Sequence, residues 1–154
     1  MTTFTAGDAE VRRGKPINEI SGAVVSAAMT VHTELGPGLL ESAYEVCLAW
    51  ELRQRGFDVQ TQVPLPLVYQ GVRLEVGYRI DLLVDNAVII EVKSVDALAP
   101  IHEAQVISYL KLSGRKVGLL INFNVLRLKD GIRRLVNHLQ PLRTSASTAV
   151  RCFL

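Results

Sequence analysis

The residues able to do chemistry in this sequence are charged ones that interrupt strongly apolar runs. Asp81 lies in Tyr-Arg-Ile-Asp-Leu-Leu-Val, and Glu91 and Lys93 lie in Ile-Ile-Glu-Val-Lys-Ser. In an extended chain residues two apart share a face, so Glu91 and Lys93 project together while Ile90, Val92 and Ser94 face the other way. If the two segments pair and bring Asp81 alongside, three ionisable groups converge among residues suited to burial. Two buried carboxylates are costly unless a proton or a cation compensates. Two carboxylates, with the backbone carbonyl of Val92 as a further oxygen, suit Mg²⁺ or Mn²⁺, which keep waters in the remaining positions. Such an ion polarises a phosphoryl oxygen and lowers the pKa of a bound water, and Lys93 is placed to orient that water or offset developing negative charge. The chemistry indicated is phosphodiester hydrolysis. Two plainer readings stand beside it: a Glu-x-Lys pair on a solvated strand face, and a buried ion-pair network with no metal.

The hairpin register decides whether the three groups can meet. Were Asp85-Asn86 a simple two-residue loop, Asp81 would face Ile90 and Glu91 would point to the opposite side of the sheet. A shared site therefore requires a three-residue turn or a bulge that shifts the register by one.

The positioning elements follow from periodicity. Ile20, Val24, Ala27, Ala28 and Val31 recur three and four apart from Ile17 onward, the spacing of one helix face, and Gly36-Pro37-Gly38 ends that helix. A second helix is predicted over 39–55, with Leu40, Tyr44, Cys47, Leu48, Trp50 and Leu52 as its apolar surface and Gly56 as its cap. Residues 59–69 and 72–76 read as strands about the turn Gln70-Gly71, with Pro64 and Pro66 confining the first to an edge or an irregular stretch. Residues 78–84 and 88–95 form the hairpin carrying the three charged residues. A helix is predicted over 100–112, from Pro100 in the first turn to Gly114 past the end. Residues 116–123 read as a buried strand, and 131–139 as a last strand or helix.

Size and charge bound the possibilities. The chain has 154 residues, 49% hydrophobic and 21% charged, which fits one folded domain over 17–139 between an N-terminal arm (1–16) and a loose C-terminal tail (140–154). No apolar run is long enough to span a bilayer, and the N-terminus lacks the plan of a secretory signal, so a cytoplasmic protein with no membrane partner is expected. Cys47 and Cys152 are too few for a disulfide framework. The net charge is +2, but Arg12, Arg13, Lys15, Arg143 and Arg151 outweigh Asp8 and Glu10 in the tails and leave the core near −1. A core without a broad basic surface points any phosphate chemistry to a local site.

Gly38-Leu39-Leu40-Glu41-Ser42-Ala43-Tyr44 matches the Gly-x-x-Glu-x-x-Tyr motif of the GxxExxY proteins, a family placed in the PD-(D/E)XK nuclease superfamily. The chain resembles that family over roughly residues 18–138, through His32, the Gly36-Pro37-Gly38 turn, Asp81, Glu91-Val92-Lys93 and Gln105-Val106-Ile107-Ser108-Tyr109. The resemblance implies a restriction-endonuclease-like α/β fold, an α-β-β-β-α-β core whose mixed sheet is flanked by helices. It also implies that Glu41 is the helix-borne acid of the first motif, Asp81 the second, Glu91 and Lys93 the third, and Gln105 with Tyr109 the fourth. Ile80 stands where the superfamily has its nominal proline.

On this reading the protein is a metal-dependent nuclease acting on DNA, or alternatively RNA. Asp81 and Glu91 bind Mg²⁺ or Mn²⁺, Glu41 assists, Lys93 serves the water and the transition state, and Gln105 and Tyr109 support substrate. Tyr44, three residues from Glu41, shares its helix face and packs or hydrogen-bonds nearby. His32 and His102 are weighed as a general base or phosphate contacts against structural roles, with His102 favoured because it precedes Gln105 by one turn. Trp50 is expected in the core, and Arg133 and Arg134 on a solvated face. A module that holds nucleic acid or a protein partner without cleaving it is the alternative from another class. Related folds often dimerise, and a homodimer is open.

Overall fold

The structure, a computed structural model, describes residues 14–138; most of the expected N-terminal arm and all of the expected C-terminal tail lie outside the described residues. The three- and four-residue spacing after Ile17 becomes helix α1 (Ile17–Leu35), which buries Ile20, Val24, Ala27, Ala28 and Val31. Helix α2 (Glu41–Gln54) starts later than expected, because Leu40 is still extended. Two residues assigned to its apolar surface are on the solvent side: Leu40 is 77% exposed and Trp50 59% exposed. Helix geometry explains the correction. Tyr44, Leu48 and Leu52, four apart, form the buried stripe, and Trp50 lies two residues from Leu48 and Leu52, roughly 160° around the axis.

The strands are β1 (Val59–Pro64), β2 (Leu67–Tyr69), β3 (Val72–Leu74), β4 (Arg79–Val84), β5 (Val88–Lys93), β6 (Val117–Asn122) and β7 (Ile132–Val136), with helix α3 (Pro100–Ser113) between β5 and β6. The expected run over 59–69 breaks at Pro64-Leu65-Pro66, where prolines cannot donate to a ladder; β2 and β3 form a separate exposed hairpin. The main sheet has the order β1-β4-β5-β6-β7, antiparallel except for β5 and β6. A parallel pair needs a crossover, and α3 supplies it. Residues 132–136, left open between strand and helix, are a strand on β6.

Both sheet faces are covered. Leu82, Val84, Ile90, Val92, Leu119 and Ile121 pack with α1 and α2; Leu83, Ile89 and Leu120 pack with Val106, Tyr109 and Leu110 of α3. Gly118 lets α3 lie close, since a Cβ there would stand 2.7 Å from a methyl of Val106. Taken in order, α2-β1-β4-β5-α3-β6 is the expected α-β-β-β-α-β core, a five-stranded mixed sheet flanked by three helices and consistent with a restriction-endonuclease-like fold. Lys15, assigned to the arm, is docked: its ammonium sits 4.1 Å from the Phe57 ring centre, 3.3 Å from the Gly56 carbonyl and 3.9 Å from Asp85. No helix among the described residues is long and apolar enough to cross a membrane.

Candidate functional site

The β4–β5 turn has the form that a shared site requires. Val84 pairs with Val88, so Asp85, Asn86 and Ala87 make a three-residue turn closed by the Ala87 N–H on the Val84 carbonyl at 3.0 Å. Continued along the ladder, this register sets Asp81 level with Glu91. Pairing stops at Leu82 and Ile90, and the next free amide, Val92 N–H, donates to Asp81 Oδ2 at 2.9 Å. The carboxylate thus takes over a backbone bond where the strands part.

Glu91 lies in the middle of the doubly covered sheet and is 4% exposed. Its Oε1 meets the Lys93 ammonium at 3.3 Å, and its Oε2 has no hydrogen-bond partner. Burial, then the charge of Asp81, push its carboxyl up to about 8, against the opposing pull of Lys93. Burial likewise raises Asp81, opposed by the Val92 amide and Lys93 and reinforced by Glu41. Glu41 raises both carboxyls and Asp81 raises Glu91 as well, as expected where like charges share a poorly solvated place.

Glu41 arrives from the first turn of α2 and accepts the Ser94 N–H at 3.3 Å, while the Ser94 hydroxyl donates to the Leu39 carbonyl at 2.6 Å. These bonds tie the N-terminus of α2 to the end of β5. Tyr44 sets that approach from beneath. Fully buried and stacked on Phe123 with ring centres 4.5 Å apart, it donates its hydroxyl to the Gly36 carbonyl at 2.6 Å and accepts the Leu39 N–H at 3.1 Å. Tyr44 is therefore closed off from the surface and holds the turn that precedes Glu41. A cleft of about 530 Å³ opens here, lined by Leu39, Leu40, Glu41, Ser42, Glu45, Gln62, Asp81 and Ser94.

On the opposite face α3 brings Gln105 and Tyr109, and Gln105 Nε2 donates to the Tyr109 hydroxyl at 3.1 Å. Burial raises the Tyr109 phenol, which also feels Glu91, Asp81 and Lys93. The two histidines are occupied elsewhere. His102 Nδ1 accepts the Ala99 N–H at 2.9 Å, capping α3, and His32 Nε2 meets the Val125 carbonyl at 2.7 Å, joining α1 to the segment after β6. Both contacts tie elements of the fold together, the structural use weighed beside the catalytic one. Arg133 reaches Glu103 at 3.9 Å and Arg134 reaches Asn18 at 3.0 Å.

Three residues that sequence reasoning missed belong to the site's frame. Glu45, one turn beyond Glu41, has its carboxyl raised first by burial and also by Asp81 and Glu41; its i, i+4 spacing was a usable signal. Buried Asn122 accepts the Val95 N–H at 3.1 Å and donates to the Val95 carbonyl at 2.9 Å, bracing the segment that follows Lys93. A polar residue at the end of an apolar strand announced it. Gln62, whose amide donates to Glu45 at 2.8 Å, carried no signal. Among the described residues no three His, Cys, Asp or Glu side chains are arranged to hold a metal ion by themselves.

The sequence profile described as the PD-(D/E)XK nuclease superfamily matches residues 18–135. Nothing among curated proteins matches the chain. Among solved structures, the crystal structure of SSO0001 is similar over 95% of this chain and 78% of its own, at 19% identity and a TM-score of 0.38.

Proposed function

Starting from the chain's membership of the PD-(D/E)XK nuclease superfamily over residues 18–135, we propose that it is a metal-dependent nuclease of the GxxExxY kind, hydrolysing phosphodiester bonds in DNA or, alternatively, RNA. The observation that carries the proposal is Glu91 Oε2, a buried carboxylate oxygen with no partner, beside Asp81 and Lys93. A native interior rarely leaves such an atom unsatisfied without a use for it.

A divalent cation fits that donor set. Asp81 and Glu91 would hold Mg²⁺ or Mn²⁺, with the Val92 carbonyl and Glu41 as further oxygens and water completing the shell. Bound there, the ion supplies a polarised phosphoryl oxygen and a water of lowered pKa. Lys93, now against Glu91 Oε1, carries the positive charge able to steady the attacking oxygen and the phosphate's negative charge. Glu41, whose charge raises the Asp81 and Glu91 carboxyls, would assist at the metal or its water. Gln105 and Tyr109 hold the α3 side, where they would support the substrate.

The test is a cleavage assay with Mg²⁺ or Mn²⁺ on single-stranded, duplex, flap and junction DNAs and on RNA. Cleavage that disappears in Glu91→Ala and Lys93→Ala is expected. Absence of cleavage across the panel, or cleavage undiminished in both variants, overturns the proposal; metal-dependent binding without cleavage would mark a non-cleaving module.

A further inference from the structure

Four non-glycine residues among those described have positive φ: Gln62 at 52°, Gln70 at 50°, Asp85 at 49° and Asn86 at 54°. Gln70 precedes Gly71 in the β2–β3 turn, and Asp85 and Asn86 form the β4–β5 turn, where chain reversal requires such angles. Gln62 lies inside β1. Thr61 pairs with Leu82 and Val63 with Ile80, so the ladder keeps one register on both sides and skips only the position where Gln62 faces Asp81. A side chain with a Cβ disfavours the left-handed region, and a residue stays there only where its surroundings hold it.

Three contacts hold this one. Arg79 Nη1 donates to the Gln62 carbonyl at 3.3 Å. The Gln62 side-chain amide donates to Glu45 Oε1 at 2.8 Å and reaches Asp81 Oδ1 at 3.4 Å. Asp81 Oδ2 is taken by the Val92 N–H. Asp81 is thereby gripped at both oxygens, by β5 on one side and by β1 on the other. If Gln62 served only to bend the strand, glycine would do so without the strain and without the amide.

We infer that Gln62 is a positioning residue for the cation site: its left-handed backbone turns the amide into the cleft, where it ties Asp81 to Glu45 and fixes the Asp81 carboxylate beside Glu91. This rests on the reading that Asp81 and Glu91 hold a divalent cation. A metal-binding carboxylate is as well placed as the groups that orient it, and loosening such a partner typically lowers metal affinity about 10- to 100-fold.

Two variants separate backbone from amide. Gln62→Gly accepts the positive φ and removes the side chain; Gln62→Asn tolerates the same backbone but falls one methylene short of its partners. Each is compared with the wild type in thermal unfolding without metal, in Mn²⁺ titration, and in hydrogen exchange at the amides of Val92 and Ile90. The expected result is a Tm for Gln62→Gly equal to or above that of the wild type, Mn²⁺ affinity lowered about 10- to 100-fold in both variants, and faster exchange at Val92 with Ile90 unchanged. Wild-type Mn²⁺ affinity and Val92 protection in Gln62→Gly overturn the inference, as does a fall in Tm with Val92 and Ile90 losing protection together. Should the wild type itself bind no Mn²⁺, the cation reading fails on its own. Val92 exchange then decides the Gln62 contact separately: faster exchange in the variants supports it, and unchanged exchange refutes it.

Discussion

The two ends of the β4–β5 hairpin use the same materials to different ends. The turn end has an aspartate, Asp85, and two residues of positive φ; the open end has Asp81 and, beside it on β1, one. At the turn end the polar groups are matched. Asp85 Oδ1 accepts the Asp58 N–H at 2.8 Å, Lys15 stands 3.9 Å from Oδ2, and Arg115 donates to Asn86 Oδ1 at 2.6 Å. At the open end Glu91 Oε2 has no partner, and burial raises Glu91, Asp81 and Glu45 together. Strain that reverses the chain is explained by the fold. Strain and an orphaned oxygen where nothing reverses are what the proposed cation site would account for, and on that proposal stability and function should respond oppositely at the two ends.

The largest expected effect is at the open end. Asp81→Asn or Glu91→Gln should lower metal-dependent cleavage by at least about 10²-fold while leaving the protein folded, as cleavage rates and circular dichroism would show. A metal-free pH series sharpens the point. Glu91 keeps its proton in the folded state up to about pH 8 but gives it up near 4.5 when unfolded, so the folded state binds more protons between those values. Stability must then fall as pH rises through that window, with Asp81 and Glu45 adding in the same direction. Glu91→Gln should flatten the fall of Tm with pH, and an equally steep fall in the variant would remove Glu91 as its source.

Smaller effects trace the boundary between the two ends. Tyr44→Phe removes a buried hydroxyl that makes two bonds and should cost about 1–2 kcal/mol in denaturant unfolding, with a partial loss of cleavage as the turn before Glu41 loosens. Asp85→Ala should cost about 1 kcal/mol with the cleavage rate unchanged. Trp50→Ala should change stability by no more than about 0.5 kcal/mol, since the ring is on the solvent side.

The face of the first helix and the hairpin were legible because periodicity is a local consequence of sequence, while the turn was left between three residues and a bulge, either of which gives the register a shared site needs. Asp81, Glu91 and Lys93 stood out as charges in apolar strands, a conflict that composition alone exposes. Trp50 was misplaced because an apolar residue does not declare its angle around a helix; only the stripe of Tyr44, Leu48 and Leu52 does. His102 stayed open between a structural and a catalytic use, because a histidine that caps a helix and one that moves protons look alike until the Ala99 amide is seen on Nδ1. Gln62 was invisible, since its part depends on a backbone angle that no residue type at that position announces.

Whether the open end of the hairpin holds a divalent cation is tested most directly by Mn²⁺ titration of the wild type and Glu91→Gln at pH 6 and pH 8. The prediction is binding by the wild type that is tighter at pH 8, where Glu91 loses its proton more readily, and no detectable binding by Glu91→Gln at either pH. Failure of the wild type to bind, or equal binding by the variant, would contradict it.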